Sequence, residues 1–159
     1  DDATRWNDTN PTSAVFTVNT HASVGADGST YVAYCWAEKQ GYSKFGSYTG
    51  NGNADGTFVY TGFKPAFLIQ KRTDTSGYNW QMHDNKRSSS GGGNILNSRI
   101  APNSSNTEET DTIGYDFLSN GFKIRTTSAT LNDAGGTYIY MAFAEEPLVG
   151  TNNIPATAR

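Results

Sequence analysis

The sequence is poor in the residues that most often announce chemistry. It has one cysteine, two histidines and two methionines in 159 residues. A single Cys35 excludes an internal disulfide and leaves the redox compartment open. Its expected place is that of a small buried residue within a strand. Charged residues make up only 17% of the chain and the formal charge is −3. That balance provides no basic stripe to displace the counterions of a phosphate backbone, so no nucleic-acid partner is expected. No apolar run approaches the ~20 residues that span a bilayer, and no signal-peptide pattern is present. Membrane insertion is therefore not expected. The first residue is Asp rather than Met, which suggests a processed chain or a piece of a longer polypeptide.

The familiar catalytic motifs are missing too. There is no Gly-x-Ser-x-Gly elbow, no Walker loop and no histidine spacing suited to a metal. A glycosidase needs two carboxylates facing each other across a cleft. Here Glu108, Glu109 and Asp111 sit in a polar stretch and Glu145 and Glu146 end a strand. Neither group shows the alternating strand pattern of sandwich-fold glucanases. "SSSGGGN" (88–94) is glycine-rich but lacks the lysine and helix start of a phosphate loop. No catalytic residue and no cofactor are expected, and the chain reads as a non-enzyme.

What the sequence does have is Gly, Ser, Thr and Asn between aromatic and β-branched runs, with 13% aromatic residues. Strand signals fall at 14–18, 30–38, 57–63, 66–72, 78–84, 121–127 and 137–145, separated by turn clusters such as "GADGS", "TDTSG" and "NDAGG". Only 95–118 lacks clear periodicity, and a short helical turn or long loop is expected there. Seven or more short strands imply an all-β sandwich or barrel.

An internal repeat underlies the pattern. "FTVNTHASVGADGSTYVAYCWAE" (16–38) matches "FKIRTTSATLNDAGGTYIYMAFAE" (122–145), aligning Tyr31 with Tyr138, Trp36 with Phe143 and Glu38 with Glu145. One β-sandwich domain over 1–159 is expected. Residues 1–38 would be the closing hairpin of a preceding repeat, 42–145 a complete unit and 146–159 a tail. A hairpin without its own sheet leaves an apolar face and unpaired edges. Docking within the domain, or exchange between copies, would cover it. Alternation places Val32, Tyr34 and Trp36 on one face with Ile139, Met141 and Phe143 as counterparts, and this face is expected to point inward. The opposite face, with Tyr138, Tyr140, Ala142 and Ala144, is also apolar. Either both faces are covered or one packs on a neighbouring subunit.

Two stretches could hold a ligand. "GNGNADG" (50–56) spaces Asn51, Asn53 and Asp55 like the first oxygens of a calcium loop. Its twelfth position is Gly62 rather than a bidentate Glu, and aromatic residues occupy the intervening positions. It is expected to be a hairpin loop between two strands, with Asn51, Asn53 and Asp55 a weak cation candidate and no metal expected. "NWQMHDNKR" (79–87) concentrates Trp80, His83, Asp84 and Arg87, the candidate ligand-contacting residues. Alternation separates Trp80, Met82 and Asp84 from Gln81, His83 and Asn85.

"GYSKFGSYTGNGNADGTFVYTGFKPAFLIQKR", the "NW…D…R" that follows, "DFLSNGFKIR", "GGTYIYMAFAE.P" and the closing "NNIPATAR" resemble the C-terminal repeat region of tail-fibre-like and other virion-associated proteins of aquatic tailed bacteriophages. The resemblance covers nearly the whole chain and implies an antiparallel, lectin-like jelly-roll β-sandwich with little helix. It also implies a place at the virion surface or outside the cell. The expected function is an outward-facing fibre or decoration module that binds host surface glycans. A self-assembling structural subunit is the alternative, and a glycan-degrading enzyme is less favoured. Expected partners are further copies, other virion proteins and a host surface glycan.

Overall fold

A computed structural model describes residues 3–87 and 95–146; the glycine-rich 88–94 and the tail from 147 lie outside the described residues. The chain divides into two compact units, Asp1–Trp36 and Ala37–Arg159.

The second unit is an all-β sandwich. Among its described residues are the strands β1 (Ser43–Thr49), β2 (Phe58–Tyr60), β3 (Pro65–Arg72), β4 (Gln81–Asp84), β5 (Ile95–Arg99), β6 (Glu109–Leu118), β7 (Gly121–Ile124) and β8 (Thr137–Ala144). A one-turn helix α2 (Ala129–Asn132) precedes β8. The first sheet has the order β1-β8-β3-β4 and the second β2-β7-β6-β5, and every pairing is antiparallel. The chain crosses between sheets at β1–β2, β2–β3, β4–β5 and β7–β8. The core is what the crossings enclose. Tyr48, Leu68 and Tyr140 of the first sheet meet Phe117, Phe122 and Ile124 of the second. Phe122 stands edge-on to Tyr48, Tyr115 and Tyr140 at ring distances of 6.0, 5.7 and 5.3 Å, the favoured aromatic geometry.

The strand β8 corrects the sequence expectation of which side faces in. Tyr138, Tyr140 and Ala142 are buried, while Ile139, Met141 and Phe143 look outward, Ile139 at 40% exposure. Hydropathy favours the opposite choice, but the tyrosines have partners inside. Tyr138 stacks on Tyr48 at 4.8 Å, donates its hydroxyl to Ala129 O and accepts from the Asp133 N–H. Tyr140 lies opposite Gly46, where a Cβ would come within 2.9 Å of the Tyr140 hydroxyl. Glycine there makes room for a tyrosine inside.

Two further expectations change. Residues 50–57 do not close a hairpin: β1 pairs with β8 and β2 with β7, so this loop carries the chain from one sheet to the other. The stretch 95–118 holds β5 and β6 in place of a helical turn or long loop. A register shift between Leu96 and Ser98 breaks the alternation that would have revealed the pair.

The first unit has α1 (Ala3–Trp6) and no strand among its described residues. The strands expected at 14–18 and 30–38 are absent, and Cys35 is exposed rather than buried. An isolated hairpin is marginal in water without a third strand or a packed face. The repeat nevertheless survives in three dimensions. The Tyr31 hydroxyl donates to Ala22 O, nine residues back, and accepts from the Ala26 N–H, five residues back. Tyr138 makes the same two bonds at the same separations. In both copies one tyrosine clamps the preceding turn. Only the second copy goes on to form β8, because β1 and β3 flank it there.

Candidate functional site

On β4 the alternation holds: Gln81 and His83 are buried, and Met82 and Asp84 face the other way. Trp80, His83, Asp84 and Arg87 consequently do not converge. Trp80 is half-buried just before β4, its backbone N–H donating to Asn103 Oδ1, and Asn103 Nδ2 donates to Asn79 Oδ1. Asp84 accepts the N–H groups of Lys86 and Arg87, each at 2.9 Å, and pairs with Arg87 Nε. Arg87 Nη1 also reaches Glu108 at 3.4 Å. Burial pushes the Asp84 carboxyl up, but the Arg87 guanidinium and these N–H groups outweigh it and hold the group below its ordinary value. Asp84 and Arg87 thus form a clasp that closes the end of β4.

His83 points the other way, into the sandwich. It is 2% exposed and stands edge-on to Tyr115 at 4.8 Å, and among the described residues neither ring nitrogen meets a partner in good hydrogen-bond geometry, although the Ser98 backbone is close by. Burial lowers its pKa to about 3, Arg99 and Arg87 push the same way, and the nearby Ser98 backbone and Asp84 only partly oppose them. The imidazole is therefore neutral at ordinary pH. It borders a cavity of about 150 Å³ with Asn97 and Arg99 of β5, Gly114 of β6, Thr126 and Ser128 after β7, and Leu96 and Leu131. Arg99 Nη2 is paired with Glu109 Oε2 at 2.6 Å.

The 50–56 loop is tied to the same end of the sandwich through Asn132, which is fully buried. Its Nδ2 lies within hydrogen-bond distance of Asn51 Oδ1, Asn53 O and Thr126 O, and its Oδ1 accepts the Asn51 N–H. Asn51 Oδ1 also accepts the Asn53 N–H, and Asn53 Oδ1 accepts the Asp55 N–H. The Asp55 carboxylate pairs with Lys123 at 2.6 Å and Arg125 at 3.7 Å. Hydrogen bonding from Lys123 lowers the Asp55 pKa. The oxygens that would ligate a cation are committed to the turn, and two cationic side chains repel another positive charge. Among the described residues no cluster of three or more His, Cys, Asp or Glu is placed to hold a metal. Replacing Asn132 with alanine is expected to cost about 2–4 kcal/mol, since several buried polar groups lose their partner at once. Urea unfolding measures the loss, and amide exchange should speed up across 50–56.

The outer face of the first sheet is the other conspicuous feature. Register places Phe45, Met141, Ile69 and Met82 in one row and Phe143, Phe67 and Asp84 in the next. The Phe143 ring lies 5.8–6.2 Å from those of Tyr42, Phe45 and Phe67. Antiparallel sandwiches ordinarily turn polar residues outward. In the first unit the repeat counterparts Val32, Tyr34 and Trp36 are 75%, 76% and 57% exposed. The same alternate positions thus face outward in both copies, exposed in the first and, apart from Ile139, half-buried in the second. Of the glycosidase carboxylates, Glu108 and Glu109 are paired with Arg87 and the cavity-lining Arg99, and Glu145 is paired with Lys86.

Residues 1–147 match the family described as Domain of unknown function (DUF7483). The chain belongs to the DUF7483 family. Its match spans both compact units, so the first unit, which has no strand among its described residues, is part of the family domain. No match to a curated protein or to a solved structure was found. In this DUF7483 member no described helix is long and apolar enough to cross a membrane. Sequence reasoning identified His83 but missed Asn97, Arg99, Gly114, Thr126 and Ser128, which come from three other segments and share no motif.

Proposed function

We propose that this DUF7483 domain is a non-enzymatic module of a virion, an outward-facing fibre or decoration protein built from copies of itself. The observation that supports it best is the apolar surface repeated in the two units: Val32, Tyr34 and Trp36, and their counterparts Ile139, Met141 and Phe143. A contiguous exposed apolar patch marks an interaction site. The repeat argues for a second copy as the occupant, because the same motif is presented twice by one chain. The sequence resemblance to virion-associated proteins supplies the particle and the extracellular setting. Phe143→Ser and Trp36→Ser are expected to shift the purified chain toward monomer in sedimentation velocity while far-UV circular dichroism stays unchanged. Unaltered assembly in both variants would remove these faces from the interface.

A second reading, adhesion to host surface glycans, draws on Trp80 beside the Asn79–Asn103 amide pair. An aromatic residue next in sequence to one amide and tied through its backbone to another is a combination that suits a sugar ring. Glycan-array binding and inhibition of phage adsorption by the isolated chain test it, and silence in both would leave assembly as the only role.

A further inference from the structure

We infer that the cavity beside His83 is a binding site for one neutral, hydroxyl-rich unit, a single monosaccharide. This gives the adhesion reading a specific site and rests on that reading; it is independent of the assembly faces.

Charge narrows the ligand first. Burial keeps His83 uncharged, and the guanidinium of Arg99 already faces the carboxylate of Glu109 at 2.6 Å. An anion therefore meets no uncompensated positive charge, and the lining offers a cation no carboxylate. Hydrogen bonding narrows it further. A neutral imidazole offers one donor and one acceptor, and among the described residues neither ring nitrogen of His83 has a well-placed partner although the side chain is 2% exposed. A buried polar group left unpaired is costly, so the cavity is built to be filled by something polar. Around it stand hydroxyls at Thr126 and Ser128 and the amide of Asn97. Such a mixed set suits hydroxyl groups, each of which donates and accepts. Leu96 and Leu131, both nearly fully buried, add only a small apolar part to a mostly polar lining, which favours hydroxyl groups over an apolar ring.

Size agrees with this. About 150 Å³ matches the size of a cavity known to hold one benzene ring, so the space suits a single six-membered ring. Gly114 keeps the space open. A Cβ there would sit 3.4 Å from Leu131 and 3.8 Å from the His83 ring, in ordinary contact, so only a larger side chain enters the cavity.

Saturation-transfer NMR on the full chain with glucose, galactose, mannose and N-acetylglucosamine at millimolar concentration tests the assignment. At least one sugar is expected to receive saturation and to shift the His83 ring signals. Gly114→Val should reduce the transfer tenfold or more by filling the cavity. Ser128→Ala removes a lining hydroxyl that does not cap α2, and should weaken binding several-fold; it decides the matter if Gly114→Val fails to fold. A panel in which no sugar moves the His83 signals would overturn the proposal and leave a cavity that holds water. Sugar binding untouched by both variants would also overturn it, while the adhesion reading would survive at another surface.

Discussion

Stability is expected to fall as pH drops from about 6.5 to 4.5, by roughly 2–3 kcal/mol, and His83→Gln should flatten that slope. The sign follows from burial. The folded His83 takes up a proton only near pH 3, whereas the unfolded side chain does so near 6.5. Between these values the unfolded chain binds the extra proton, so acid favours unfolding. The full effect, reached near pH 3, is about 4–5 kcal/mol at 1.36 kcal/mol per pH unit. Asp55, Asp74 and Asp84 also have lowered values, through Lys123, Arg72 and Arg87 respectively. Their stabilisation is present above the ordinary carboxylate pKa and is lost below about 4, so the upper window belongs to His83. Urea midpoints at half-unit pH steps would measure the slope. An equal slope in wild type and His83→Gln would mean that the ring is not held neutral inside.

Phe122→Ala is expected to cost about 3–5 kcal/mol, because a fully buried ring that touches three others leaves a cavity between the sheets. The same truncation at Phe143 should cost far less in the isolated chain, since that ring lies on the outer face of the first sheet. The contrast separates an interior aromatic cluster from a surface one. Equal losses from the two substitutions in denaturant titrations would show that Phe143 is already covered within a single copy. Its face would then have no role in assembly.

The sandwich was legible where a strand announces itself by composition. Segments 57–63, 66–72, 121–127 and 137–145 all contain strands in the structure. The same signal overstated 14–18 and 30–38, because propensity does not say whether neighbouring strands exist to complete a ladder. It understated β6, whose first half, Glu109–Thr112, is mostly polar. The side of β8 that faces inward was misread, since nothing in 137–145 reveals that Gly46 opposes Tyr140 or that α2 offers Ala129 O to Tyr138. Within the candidate site, alternation alone separated His83 from Asp84. The rest of the cavity was out of reach of sequence reasoning. Arg99, Gly114 and Thr126 meet His83 only after β4, β5, β6 and the segment following β7 are brought to one end of the sandwich. Asn132 read as a turn residue in "NDAGG", and its role in anchoring 50–56 depends on contacts 79 and 81 residues away.

Self-association through the exposed apolar positions is the central claim, and sedimentation equilibrium of the purified chain across a hundredfold dilution series tests it most directly. A mass that exceeds one chain at the highest concentrations and falls on dilution toward that of one chain, 17.2 kDa, is the expected result. A mass that stays at that of the single chain throughout, at neutral pH and moderate salt, would contradict it.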